Sequence, residues 1–182
     1  MHEIEIKAAV RAKEALLAKL SELGCAFSDP VIQDDTVYVK NVGSVETFVA
    51  NSAFLRIRVQ GDGKVIFTVK HHEGRDANDP TGVPMEYEME ISSRDTMAQA
   101  LIALGFKEAV RVTKTRRKCA YKDWEICLDE VEGLGTFIEL ERMAALEEAE
   151  AAQKGMIGLL LSLGVKEEDM PAQRYDIALL SK

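Results

Sequence analysis

Acidic and basic side chains recur at every second position in several stretches of this 182-residue chain, a spacing that places like chemistry on one side of an extended strand. Glu3, Glu5 and Lys7 share such a face, as do Arg56 and Arg58, then Glu86, Glu88 and Glu90, then Lys114, Arg116 and Lys118, then Glu139 and Glu141. Lys70 and Asp129 take the same side of their own runs. The alternate positions are apolar in most runs: Ile4 and Ile6, Leu55 and Ile57, Ile126 and Leu128, Ile138 and Leu140. Taken singly, each run is a half-buried strand with a solvated outer face. Taken together, carboxylates suit hard divalent cations through their oxygens, and Arg and Lys beside them suit a polyanion.

The elements that must position these residues follow from a unit that occurs three times, an acidic alternating strand followed by an amphipathic helix that ends in Leu-Gly. Glu3–Lys7 precedes Leu16, Leu17, Leu20, Leu23 and Gly24; Glu86–Glu90 precedes Met97, Leu101, Leu104 and Gly105; Phe137–Glu141 precedes Ile157, Leu160, Leu161, Leu163 and Gly164. Gly just past a helix accepts the left-handed conformation without a side-chain clash. Ala53–Val59 and Lys64–Lys70 flank Gly61-Asp62-Gly63 as a hairpin, Val110–Tyr121 and Trp124–Asp129 flank Lys122-Asp123 as another, and Asp34–Lys40 reads as a further strand. The segments 41–52 and 71–84 read as surface loops. With no linker in between, the chain is expected to form one α+β domain over 1–182, its antiparallel strands dominant and its helices outside. The Leu-rich helices can be buried only on the apolar strand faces, which leaves the charged faces together. Strands that curl into a closed or nearly closed β-barrel would turn those faces into a lumen holding cations on its carboxylates and a polyanion on its bases.

Lys+Arg total 23 against Asp+Glu 31, a net charge of −8, which excludes general electrostatic binding to nucleic acid or to an anionic membrane. No apolar run approaches a membrane span and the amino terminus is charged at once, so a cytoplasmic protein is expected. Cys25, Cys119 and Cys127 form an odd set without metal-binding spacing; Cys119 and Cys127 are expected to face each other across the second hairpin as packed thiols. His71 and His72 point to opposite sides of an extended chain, which disfavours a joint metal site. Glu147-Glu148-Ala149-Glu150 reads as the solvated start of a helix. Gly-rich phosphate loops of the Walker or Rossmann type are absent.

Glu3-Ile-Glu-Ile-Lys7 resembles the amino-terminal Glu-x-Glu-x-Lys signature of the CYTH family, the triphosphate tunnel metalloenzymes that include class IV adenylyl cyclases and thiamine and inorganic triphosphatases. The resemblance continues in order through Ala53–Arg58, Thr68–Lys70, Glu86–Glu90, Lys114–Arg116 and Leu128–Glu141, and Arg174–Leu180 is similar to the terminal segment of the cyclase branch. It implies that Glu3, Glu5, Glu139 and Glu141 hold Mg²⁺ or Mn²⁺. It further implies that Asp129 is an additional ligand or orients water, and that Lys7, Arg56, Arg58, Lys70, Lys114 and Arg116 line the triphosphate path. Catalysis would then rest on Glu3, Glu5, Lys7 and Asp129, with Glu86, Arg117 and Lys118 one step removed or facing solvent. The implied partner is a triphosphate-containing small molecule, and the implied assembly a monomer or homodimer. Bacterial cyclases carry a His-Phe pair upstream of the signature, which starts here at the third residue. Metal-dependent triphosphate hydrolysis is therefore expected ahead of adenylyl cyclisation, with a non-catalytic polyphosphate-binding module third.

Overall fold

A computed structural model describes residues 2–50, 53–71, 85–170 and 172–182. Eight strands, β1 (His2–Ala9), β2 (Val31–Val39), β3 (Ala53–Gln60), β4 (Val65–His71), β5 (Met85–Ile91), β6 (Lys107–Tyr121), β7 (Trp124–Val131) and β8 (Gly135–Ala144), form a sheet in the order β1-β8-β7-β6-β2-β3-β4-β5. The helices are α1 (Lys13–Glu22), α2 (Val45–Val49), α3 (Arg94–Ala103), α4 (Ala149–Ser162) and α5 (Tyr175–Leu180). The α+β class with antiparallel strands and packed helices is as expected. The chain divides into two compact units, the first made of Met1–Pro30 and Thr115–Gln173, the second of Val31–Lys114 and Arg174–Lys182.

In the first unit β8 pairs antiparallel with both β1 and β7, which sets Glu5 and Glu125 opposite Glu141, and Lys7 and Cys127 opposite Glu139. The other face of these strands is the core: Ala8, Ile126, Leu128, Ile138 and Leu140 pack under Leu16 and Leu20 of α1 and Met156 and Leu160 of α4. In the second unit β2, β3, β4 and β5 pair in succession, all antiparallel, and α3 lays Leu101 on Tyr38, Leu55, Ile57 and Phe67. Each of the three Leu-Gly stops closes its helix in the same way. The amide after the glycine bonds five residues back, Cys25 to Leu20, Phe106 to Leu101 and Val165 to Leu160, while the glycines take φ of 81°, 86° and 93°.

Several expectations are corrected. The Leu faces are narrower than the sequence suggests, because Leu23, Leu104, Ile157 and Leu161 are exposed. Leu23 and Leu104 sit at the C-caps, where the helix has already begun to turn away. The segment 41–52 is not all loop: Ser44 caps α2 by accepting from the Thr47 amide, and Phe48 is buried against Val37 and Val39. Ile177 and Leu180 of α5 join that same cluster, so α2 and α5 lie on the face of β2 that carries Asp35, not on the apolar face. Cys119 lies in the first unit's core beside Cys25, which together with burial pushes its thiol up to about 12, whereas Cys127 is on the charged face of β7. The proposed facing of Cys119 and Cys127 fails because the two residues occupy opposite faces. His71 ends β4; His72 and the rest of the loop to Pro84 lie outside the described residues. As expected, Glu147 and Glu148 are exposed, in a short 3₁₀ turn (Leu146–Glu148) that leads into α4.

Leu140 is fully buried between Glu139 and Glu141, and its burial fixes which way those carboxylates point. Leu140→Ala is expected to cost about 2–5 kcal/mol in denaturant unfolding, as for other fully buried leucines. A loss under about 1 kcal/mol would mean that this strand face is not held by the core.

Candidate functional site

The first unit gathers its charged side chains around Arg116. The guanidinium Nε donates to Asp129 Oδ1 and NH2 to Asp129 Oδ2, both at 2.6 Å, while NH2 also donates to Glu139 and NH1 to Glu141 at 3.3 Å. Asp129 is wholly buried and Glu139 nearly so. Lys7 Nζ lies 2.9 Å from Glu139 Oε1, on the strand directly opposite. Three carboxylates, Glu5, Glu139 and Glu141, each offer an oxygen within 4.8 Å of the others. Glu3 stands outside that group, opposite Met143, but its charge still reaches Glu141.

Electrostatics in this cluster oppose burial. Burial acts to lower the Arg116 and Lys7 pKa values, but the surrounding carboxylates outweigh it and raise both, Arg116 strongly. Glu141 goes the other way: burial, only partly offset by Arg116, together with the charges of Glu139, Glu3 and Glu5 pushes its carboxyl up from 4.5 to about 7. A carboxyl so crowded is relieved by a proton or by a divalent cation. An all-oxygen donor set of this size fits Mg²⁺ or Mn²⁺.

Charged side chains also gather within the second unit. Arg58 and Asp35 are direct partners across β3 and β2, with Nε to Oδ1 at 2.7 Å and NH2 to Oδ2 at 2.8 Å. Arg56 NH2 donates to Thr68 Oγ1 at 3.0 Å and reaches Glu86 and Glu88 at 3.4 Å, and Lys70 Nζ is 2.8 Å from Glu86. Lys114 is buried, its ammonium 5.2 Å from the centre of the Tyr175 ring. Arg174 lies over Phe54 at 4.2 Å and holds Asp176, which fixes the start of α5.

The described sequence pattern therefore brings together Glu5, Lys7, Arg116, Asp129, Glu139 and Glu141 in the first unit, and Arg56, Arg58, Lys70 and Lys114 in the second. Residues 1–173 match the family model of the CYTH domain. The chain belongs to the CYTH family. A Methanocaldococcus jannaschii protein provisionally named an adenylate cyclase is 30% identical over 96% of this chain and 97% of its own. A solved Pyrococcus horikoshii protein is also 30% identical, with a TM-score of 0.80 and 99% coverage of both chains. A Hippeastrum protein, described as an adenylyl cyclase by provisional name with a dominant triphosphatase activity, shares the fold at TM-score 0.62 and 18% identity, over 98% of this chain and 95% of its own.

In this CYTH chain Lys118 is exposed and paired with Glu125 at 2.5 Å, and Arg117 donates to the Ser28 carbonyl at 3.0 Å, so Lys118 faces solvent and Arg117 ties down the segment after α1. Three residues of the clusters have no place in the site expected from sequence: Asp35, the Thr68 hydroxyl and Cys127, the last expected only as a packed thiol facing Cys119. Asp35 falls in a run whose acidic pair, Asp34-Asp35, does not alternate, so only the strand register reveals which one faces Arg58. Cys127 packs beside Glu125 and Glu141, and burial pushes its thiol well up, which keeps it a neutral filler.

The raised Glu141 carboxyl has a sign that can be checked. Between about 4.5 and 7 the folded chain keeps a proton that the unfolded chain has lost, so metal-free stability falls as pH rises through that window, by at most about 1.4 kcal/mol per pH unit. Thermal unfolding in chelator from pH 5 to 8 is expected to show this decline in wild type and a flatter profile in Glu141→Gln. Parallel profiles would remove Glu141 from the crowded set.

Proposed function

We propose that this CYTH protein is a divalent-metal-dependent triphosphatase, acting on inorganic, nucleoside or thiamine triphosphate. The observation that carries the reading is the convergence of Glu5, Glu139 and Glu141 around a position bordered by Lys7 and Arg116. These carboxylates, with Glu3 beside them, would hold Mg²⁺ or Mn²⁺. Such a cation, when bound, supplies positive charge that neutralises phosphate oxygens and favours phosphoryl transfer. Arg56, Arg58, Lys70 and Lys114 bind and orient phosphate oxygens through charge-assisted hydrogen bonds. Lys7 pairs with Glu139 and holds it in place. Asp129, with both oxygens on Arg116, positions that guanidinium.

Hydrolysis needs a water in line with the terminal phosphorus; its oxygen bonds to that phosphorus and gives up a proton while the P–O bond to the bridging oxygen breaks, so that the diphosphate departs with the electron pair and orthophosphate is formed. Cyclisation asks in addition for a ribose 3′ oxygen held against the α-phosphate. The triphosphatase activity described for the Hippeastrum protein of the same fold supports hydrolysis. The name of the Methanocaldococcus jannaschii relative favours a second reading, adenylyl cyclase.

Incubation with tripolyphosphate, ATP or thiamine triphosphate and Mg²⁺ or Mn²⁺, followed by separation of products, distinguishes them. Orthophosphate release is expected, reduced about a hundredfold or more in Glu139→Gln with the fold retained. Cyclic AMP with pyrophosphate would establish the cyclase, and binding without turnover would make the chain a binding module.

A further inference from the structure

Asp35 is an acid set among the second unit's bases. It is 5% exposed, and both its oxygens are taken by the Arg58 fork. A second guanidinium stands close by, since Arg56 NH1 lies 3.9 Å from Asp35 Oδ2. Burial pushes the Asp35 carboxyl up, but the hydrogen bonds and charge of Arg58, with the charges of Arg56 and Lys114, outweigh it and hold the group below the ordinary carboxylate range. The residue therefore remains a charged anion inside a site whose expected ligand is itself an anion. A carboxylate there lowers the attraction for phosphate by simple field, so its presence needs another reason.

The geometry supplies one. Arg56 and Arg58 lie two residues apart on one face of β3, anchored by Ile57 buried on the other. Two guanidinium groups that close repel each other and, being long, would otherwise spread over several rotamers. Thr68, Glu86 and Glu88 restrain Arg56 through its NH2, while its Nε is buried and has no hydrogen-bond partner among the described residues. From β2, Asp35 grips the planar fork of Arg58 with two hydrogen bonds and places its second oxygen toward Arg56.

We propose that Asp35 is a positioning residue for phosphate recognition, holding Arg58 directly, and Arg56 through its charge, in the arrangement that receives a triphosphate. It acts through the two arginines and touches no ligand itself. The inference rests on the reading of Arg56 and Arg58 as phosphate-binding bases.

The test exploits opposite signs. Asp35→Asn makes the site one charge more positive, so a carboxylate that only tempers the field would, when removed, leave tripolyphosphate binding tighter. A positioning carboxylate, when removed, leaves it weaker. Calorimetric titration of tripolyphosphate into the metal-free full chain is expected to show about tenfold or greater weakening in Asp35→Asn. Asp35→Asn combined with Arg58→Lys should bind no worse than Arg58→Lys alone, because both changes remove the same fork. In turnover with metal present, KM should rise far more than kcat falls. Asp35→Asn binding as tightly as wild type, or more tightly, overturns the proposal. Should Asp35→Asn fail to fold with Arg58 left uncompensated, Asp35→Glu keeps the charge and shifts the oxygens by one methylene; weaker binding supports positioning and unchanged affinity overturns it. Arg56→Ala separates the two levels: if it binds tripolyphosphate as wild type does, or if wild type does not bind at all, the phosphate reading itself falls.

Discussion

The first unit depends on one buried cation. Arg116 sits among Asp129, Glu139 and Glu141, and its removal would leave three acids on paired strands buried beside one another with far less to offset their repulsion and lost hydration. A buried network of this kind is a costly way to stabilise a sheet, because apolar residues of similar volume would serve as well or better. Its retention makes sense where the carboxylates are wanted as carboxylates. The guanidinium offsets only part of the charge, and Glu141, with its carboxyl near 7, shows that the cluster still has more negative charge than its surroundings support.

The second unit follows the same rule with the signs exchanged. Arg58 is matched by Asp35, Lys70 by Glu86, and Arg56 by Thr68, Glu86 and Glu88. Under the proposed function a phosphate would compete with carboxylates already in place, of which Glu86 and Glu88 have most access to water. The bases are presented by β3 and β4, whose other faces are locked under α3, so their backbone positions are set by the core and only their side chains adjust.

Much of this was legible in the sequence because strand alternation is a local rule. Glu5 and Lys7, or Glu139 and Glu141, share a face in any extended chain, and Leu140 between them must then point to the core. The three Leu-Gly stops were equally local, since a single residue in the left-handed region ends the helix. What was hidden is what depends on register between strands distant in sequence. That Asp35, rather than Asp34, meets Arg58 follows from the β2–β3 pairing, and that Cys119 meets Cys25 follows from how the chain after α1 returns along β6, where the Ser28 amide bonds the Lys118 carbonyl at 2.7 Å. Helix α2 escaped because its propensity signal is short and its stability comes from Phe48 in a cluster built with the chain's last helix.

The proposed function rests on Glu5, Glu139 and Glu141 forming a site for a hard divalent cation. Electron paramagnetic resonance of free Mn²⁺ during titration of the chelator-treated protein tests it without reliance on any substrate. Such a site requires loss of the free-ion signal saturating near one or two Mn²⁺ per chain, stronger at pH 8 than at pH 6 because the Glu141 proton must leave first, and abolished in Glu139→Gln. An unchanged free-ion signal, or binding that survives Glu139→Gln, would contradict it.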